Sequence, residues 1–480
     1  MRVDFHGKIL VIGCGYVARS TLPLIAKHIE MPLSNITVID FVDPPECLSV
    51  LLKSGVHFVK LRITPENLAS TLATYVKHGD MVIDLAWNID ALEIIQWCHE
   101  NGVRYINTSV EVWDPYENAE NKTPQERTLY HRHMNIRRMK KTWKEKGPTI
   151  IIEHGANPGL VSHFAKKALT DIAHTLISEG KDPDSTIAEL LRVQDFPRLA
   201  QQLSVKVIHI SERDLQIASE PKKKDEFVNT WSIEGLYEES IAPSELGWGT
   251  HEHELPENAY TFTDGPQNQI CLAQPGMKTR VCSYVPCGEI IGCVIRHGEA
   301  FTMSDYLTVH ENGKPIYRPT VHYAYCLSDA AIASMHELEM RNFQLQEKQR
   351  IMTDEITEGS DELGVLLMGH EYASWWCGTI LDIHEARKLV PHQNATTIQV
   401  AAGVLSAMIY AIKRPELGLL VPDDLPHEEL LSYATPYLGK LVSCAYNWNP
   451  LMNRSYLFEK YNEFEQDIDK DPWQFKNFIV

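Results

Sequence analysis

The chain has 480 residues, enough for two or three domains, and its 44% hydrophobic and 23% charged content is that of a globular protein rather than a disordered one. Its 45 basic and 64 acidic side chains leave a formal net charge of -19, a field that repels nucleic acid and anionic membranes and attracts cations. We therefore expect neither nucleic acid nor membrane among its partners.

The N-terminal stretch MRVDFHGKILVIGCG lacks the layout of a signal peptide, because its apolar run is short and passes directly into glycines. Ten cysteines form no CxxC pair, and Cys282, Cys287 and Cys293 are spaced poorly for zinc. Both features predict a cytoplasmic protein with reduced thiols and no metal.

The run from Lys8 to Ile12 leads into GCGYVA, a GxGxxA turn made by Gly13, Gly15 and Ala18. Helical spacing follows from Tyr16 to Ile29, and then a second strand-like run, NITVIDF, with Asp40 near its end. Gly13 allows the tight turn, Gly15 lets the backbone approach a pyrophosphate, and Ala18 keeps the helix close to its strand. Tyr16 and Val17 begin that helix beside the same phosphates. Asp40 suits a ribose hydroxyl and repels a 2′-phosphate, so the expected cofactor is NAD rather than NADP, with FAD a further alternative. The alternation continues through VHFVKLRI, a helix near Pro65 to Lys77, DMVIDLAW, a helix from Ala91 to Glu100, and VRYINTS. This predicts an α/β, Rossmann-type doubly wound parallel sheet. Its strand ends offer Ile63, Trp87, Asn88, Thr108, Ser109 and Glu111 to the ligand.

A basic helix is expected from Thr123 to Lys146, with its eight Lys and Arg on a solvated face. The strand TIIIEHG then delivers Asn157-Pro158-Gly159 to the sheet edge, closing a first domain of residues 1–159. From 160 to 375, runs such as LSVKVIHISERDLQIAS, MKTRVCSYVP and EIIGCVIRHGEAFTMSDYLTV read as strands of a second, α+β domain with a mixed or antiparallel sheet. The apolar segment Ile398 to Ile412 is too short to span a membrane and reads as a buried helix. Residues 376–480 are expected to return to the first domain.

The stretch WSIEGLYEESIAPSELGWGTHEHE, Trp231 to Glu254, carries six glutamates, two tryptophans and a tyrosine without one lysine or arginine. It reads either as a solvated acidic loop or as a cation site. His251 and His253 alternate as on a strand, and no metal is expected on them.

Taken together, GCGYVA, HGANPGLVSHF, NTWSIEGLYEES, GWGTHE and RHGEAFTMSDYL resemble the bacterial homospermidine synthases, over essentially the whole chain. The broader relatives are the saccharopine and carboxynorspermidine dehydrogenases. The resemblance implies a homodimeric enzyme that joins two putrescines into sym-homospermidine, releases ammonia and keeps NAD as a redox carrier. It implies that Trp231 supplies a cation–π face, that Glu239 and Glu212 hold the amines, and that His297 and Glu299 flank the reacting nitrogen. Asn157 and Glu111 would lie between nicotinamide and substrate, and His297, tuned by Glu299, would titrate near the working pH. Between adjacent Glu238 and Glu239 the motif alone does not decide. The physical logic is independent of the likeness: a desolvated ammonium needs a carboxylate, and an aromatic face adds about 0.5 to 2 kcal/mol. An oxo-acid would need Arg or Lys. The rivals are a saccharopine-type dehydrogenase with net NAD(P)H turnover and a non-catalytic NAD sensor.

Overall fold

Short, mostly apolar runs form strands, and the central ones are buried on both faces. In the computed structural model, which describes residues 2–452 and 469–480, they build the first layer. Seven parallel strands run in the order Leu419–Leu420, Ile150–Ile151, Arg104–Asn107, Met81–Asp84, Ile9–Ile12, Ile36–Asp40 and His57–Lys60. Ile9–Ile12 is buried throughout and central, so the order reverses beside it and the cleft opens beyond its carboxyl end. The Tyr16–His28 helix starts there. Asp90 caps the Ala91–Asn101 helix by accepting from Glu93 N at 3.1 Å, and Gly102 ends it at φ 65°.

The second layer is a mixed sheet. Its path runs through Ala259–Thr261, Gln269–Pro275, Pro243–Gly247, Thr320–Cys326, Val207–Asp214, Ser360–His370, Ala373–Asp382 and Lys440–Tyr446, with the hairpin Arg280–Val285 and Gly288–Cys293 attached through Cys293 and Tyr325. Only Thr320–Cys326 and Val207–Asp214 pair in parallel.

Three sequence expectations change. The run RHGEAFTMSDYL is a helix, Glu299–Tyr306, not a strand; its residues from Glu299 to Ser304 are all buried, so no polar face marks the helical period. The basic helix is shorter, Leu129–Lys140, and not merely solvated: Tyr130, His133 and Met134 are buried in it. The tail is divided between the layers. The Ala395–Lys413 helix packs on Tyr16–His28 and Leu419–Leu420 edges the parallel sheet, whereas Ala373–Asp382 and Lys440–Tyr446 belong to the second sheet. That helix has the length and apolarity of a membrane span, yet 89% of its most apolar window is buried inside the protein.

Candidate active site

Two glycines of the first turn do different work. A Cβ on Gly13, at φ +89°, would lie 2.8 Å from Leu85 O, so the fold itself needs glycine. A Cβ on Gly15 would meet no protein atom within 4 Å. It would project into a cleft of about 410 Å³ lined by Tyr16, Val17, Asp40, Trp87 and Asn88. This open space above a helix N-terminus fits a dinucleotide. Asp40 also closes the turn, accepting from Cys14 N at 2.6 Å and Val42 N at 3.0 Å. Beside it the Arg62 guanidinium lies 4.0 Å over the Phe41 ring. Ala18 is fully buried behind the turn and serves packing. Thr108 and Asn157 do not line this cleft; a Cβ on Gly155 would lie 3.4 Å from Thr108 Cγ2. Trp231, Ile351 and Thr397 do line it, from the second domain and the tail, and no local pattern announces the last two.

Next to the cleft lies a small cavity of about 30 Å³ lined by Ser109, Glu111, Glu153, Glu239 and His297, with Arg132, Arg296 and Glu238 at its side. Those three continue into an outer vestibule of about 370 Å³. Glu238 is locked: Arg132 donates to it at 2.6 Å, Arg296 donates as well, and Trp87 Nε1 donates at 3.2 Å. Burial pushes its carboxyl up, but the two arginines prevail and hold it at about 2. Adjacent Glu239, on the same Ile233–Ile241 helix, lies instead 3.3 Å from His297 Nε2. Burial would lower the His297 pKa, but Glu239 and then Glu299 overcome it and raise it to about 10. The expectation that His297 titrates near neutrality is therefore corrected; it is an imidazolium there. Its Nδ1 lies 3.6 Å from Glu299, whose two oxygens receive no hydrogen bond among the described residues.

The groups poised near neutrality are carboxyls. Glu111 is pushed up to about 7 by burial and by Glu238, and it accepts from Ser109 Oγ at 2.7 Å. Glu212 reaches about 7 mainly through burial, while accepting from Tyr323 OH and from Asn157 Nδ2 at 2.7 Å. Tyr323 packs 4.4 Å from the His297 ring and stacks on Tyr325 at 5.0 Å. The alternating β pattern hid both tyrosines, since buried strand aromatics are ordinary core.

The long acidic stretch is not the uncompensated run it looks like in the sequence. Glu245 caps the basic helix, accepting from Leu129 N at 2.6 Å and Tyr130 N at 3.1 Å. The THEHE segment holds the C-terminus: Glu252 accepts from Phe475 N at 2.9 Å, His253 N donates to Gln474 at 2.8 Å, and Glu254 pairs with Lys476. His251 and His253 thus serve docking. Among the described residues, no group of three His, Cys, Asp or Glu is placed to hold a metal ion.

Comparison with known proteins agrees with this geometry. Residues 9–151 match the family model for the saccharopine dehydrogenase NADP binding domain, and residues 155–445 match that for the saccharopine dehydrogenase C-terminal domain. The chain is 39% identical to the homospermidine synthase of Blastochloris viridis over 486 aligned residues, covering 100% of this chain and 98% of that one. It is 37% identical to the homospermidine synthase of Mesorhizobium japonicum, covering 99% and 97%. The crystal structure of the Legionella pneumophila homospermidine synthase in complex with NAD superposes with a TM-score of 0.87 at 36% identity, covering 100% of this chain and 99% of the other. A cleft, a carboxylate-rich cavity and full-length similarity coincide: the chain belongs to the homospermidine synthase family.

Proposed function

We propose that this enzyme condenses two putrescines to sym-homospermidine and releases ammonia, with NAD retained as redox carrier. One observation carries the choice of a diamine over an oxo-acid. Both arginines at the inner cavity, Arg132 and Arg296, are bound to Glu238, and His297 faces Glu239 and Glu299, so among the described residues no cation there is left without a carboxylate, whereas Glu111 keeps an oxygen that receives no hydrogen bond. NAD, when bound in the Gly13–Ala18 cleft, supplies reversible hydride acceptance at the amine-bearing carbon. Trp231 offers its ring to a cationic carbon–nitrogen group, and Glu239 accompanies the ammonium. Glu212 and Glu111, held near 7, are the groups suited to accept and return its proton, and His297, raised to about 10, faces Glu239 at 3.3 Å. Asn157 fixes Glu212. The matched family model is described as NADP-binding, but Asp40 with both oxygens engaged in the turn disfavours a 2′-phosphate. The same reading places residues 1–159 as cofactor domain and 160–375 as substrate domain, in a homodimer of the cytoplasm; ten cysteines without a disulfide suit that compartment.

The test is product analysis by mass spectrometry after incubation with putrescine and NAD. Homospermidine should accumulate while NADH absorbance stays at or below the enzyme concentration. NADH rising in step with product would establish a saccharopine-type dehydrogenase instead. Sedimentation velocity tests the dimer.

A further inference from the structure

Glu153 is absent from every motif, yet its position is unusual. It follows the Ile150–Ile151 strand at φ 56°, a conformation that costs a non-glycine residue energy and gathers at functional sites. Its backbone is held there by Asn107 Oδ1, which accepts from Glu153 N at 2.7 Å. The side chain is 2% exposed, and Oε2 is 2.8 Å from Nε2 of buried His133. Glu153 lines the small cavity, and among the described residues no hydrogen bond joins a donor to Oε1. Gly298, between His297 and Glu299, has no room for a side chain because a Cβ there would collide with the Glu153 carboxylate. The glycine of the RHGEA motif therefore makes way for Glu153. The cavity, about 30 Å³, has room for a group the size of one or two waters.

We propose that this cavity is the berth of the departing nitrogen, and that Glu153, paired with His133, carries the proton with which it leaves as ammonia. The inference rests on the condensation reading above and names a subsite within it. The step is redox-neutral. The incoming primary amine bonds to the carbon of the protonated imine as the carbon–nitrogen π pair moves onto the nitrogen already there, and the new nitrogen becomes cationic. Glu153 takes its proton, and the same proton passes to the nitrogen already on that carbon, which becomes an ammonium. The carbon–nitrogen bond to that nitrogen then breaks, the electron pair leaves with ammonia, and the new amine's lone pair forms the substituted imine.

The experiment separates the first hydride transfer from amine exchange. NAD-loaded enzyme is mixed with putrescine, and the NADH burst is followed beside released ammonia and homospermidine. Glu153→Gln keeps the shape but not the proton acceptor; its burst should be unchanged while ammonia and product release fall about a hundredfold, with NADH persisting on the enzyme. Glu153→Asp should recover part of that loss, and Gly298→Ala, which displaces the carboxylate, should behave like the Gln variant. Ammonium chloride should inhibit wild type more than potassium chloride at equal ionic strength, and this difference should vanish in Glu153→Gln. Unchanged ammonia release in folded Glu153→Gln, or burst and release falling by one common factor, overturns the proposal. A wild-type enzyme that gives an NADH burst but no homospermidine overturns the condensation reading, and this inference with it.

Discussion

Trp231 donates its indole N–H to the Tyr325 hydroxyl at 3.1 Å, and Tyr325 lies parallel to Tyr323 with 5.0 Å between ring centroids. This bond fixes the plane of the indole where the cofactor cleft meets the second domain, and Gly235 lets the ring pass, since a Cβ there would sit 3.0 Å from Trp231 Cζ3. Tyr323 in turn carries Glu212 and Asn157, so one aromatic stack orients both the ring face and the proton acceptor.

The first prediction follows from that stack. Trp231→Phe should keep part of the activity, and Trp231→Ala and Trp231→Glu should lose most of it, because only the ring face, worth about 0.5 to 2 kcal/mol, stabilises a cationic intermediate without quenching it. Tyr325→Phe should lower kcat with NAD affinity intact. A Glu variant as active as Phe in steady-state assays would show that charge alone suffices.

Adjacent Glu238 and Glu239 should separate in experiment. Glu238→Ala leaves Arg132 and Arg296 buried without their carboxylate and should cost about 3–5 kcal/mol in stability, seen in denaturant unfolding. Glu239→Gln, at a partly exposed carboxylate with one partner, should cost less stability than Glu238→Ala and lower kcat/KM for putrescine. The reverse pattern would exchange their roles.

Gly13 and Gly15 should fail differently. Gly13→Ala meets the Leu85 backbone and a positive φ, so it should lower the melting temperature. Gly15→Val adds its side chain to open space, so it should leave melting unchanged and weaken NAD binding in titration calorimetry. Asp40→Ala should weaken NAD and narrow its advantage over NADP.

His297 and Glu212 set opposite pH limits. His297 is raised to about 10 from an ordinary value of 6.5, so its stabilising pairs are fully present below pH 6.5 and lost as pH rises through about 10. Thermal stability of wild type should fall across that window, and His297→Gln should flatten the profile. Glu212 is raised to about 7 from 4.5, so kcat/KM should climb with pH through about 7, a limb that Glu212→Gln abolishes along with most activity. An unaltered limb in that variant would move the proton transfer to Glu111.

The sequence by itself determined the cofactor cleft, the parallel sheet around it and the family. Gly13, Gly15, Ala18 and Asp40 lie within one strand–helix–strand unit, where local geometry alone fixes what each residue must do. Its motifs also named Trp231 and His297 as candidates for the substrate site, with Glu212 in HISERD and an open choice between Glu238 and Glu239. Only the tertiary structure gives Glu238 and Glu239 different partners, because neighbours on a helix point about 100° apart and those partners arrive from other segments. Arg132, which locks one of them, comes from a helix whose basic face reads as solvated, and Arg296 from the segment between the Gly288–Cys293 strand and the Glu299–Tyr306 helix. Distance in sequence likewise hid Glu153 behind Gly298, the protonation of His297, and the docking of the C-terminus on THEHE. Burial and charge at these sites are properties of groups brought together from remote segments, and no local pattern encodes them.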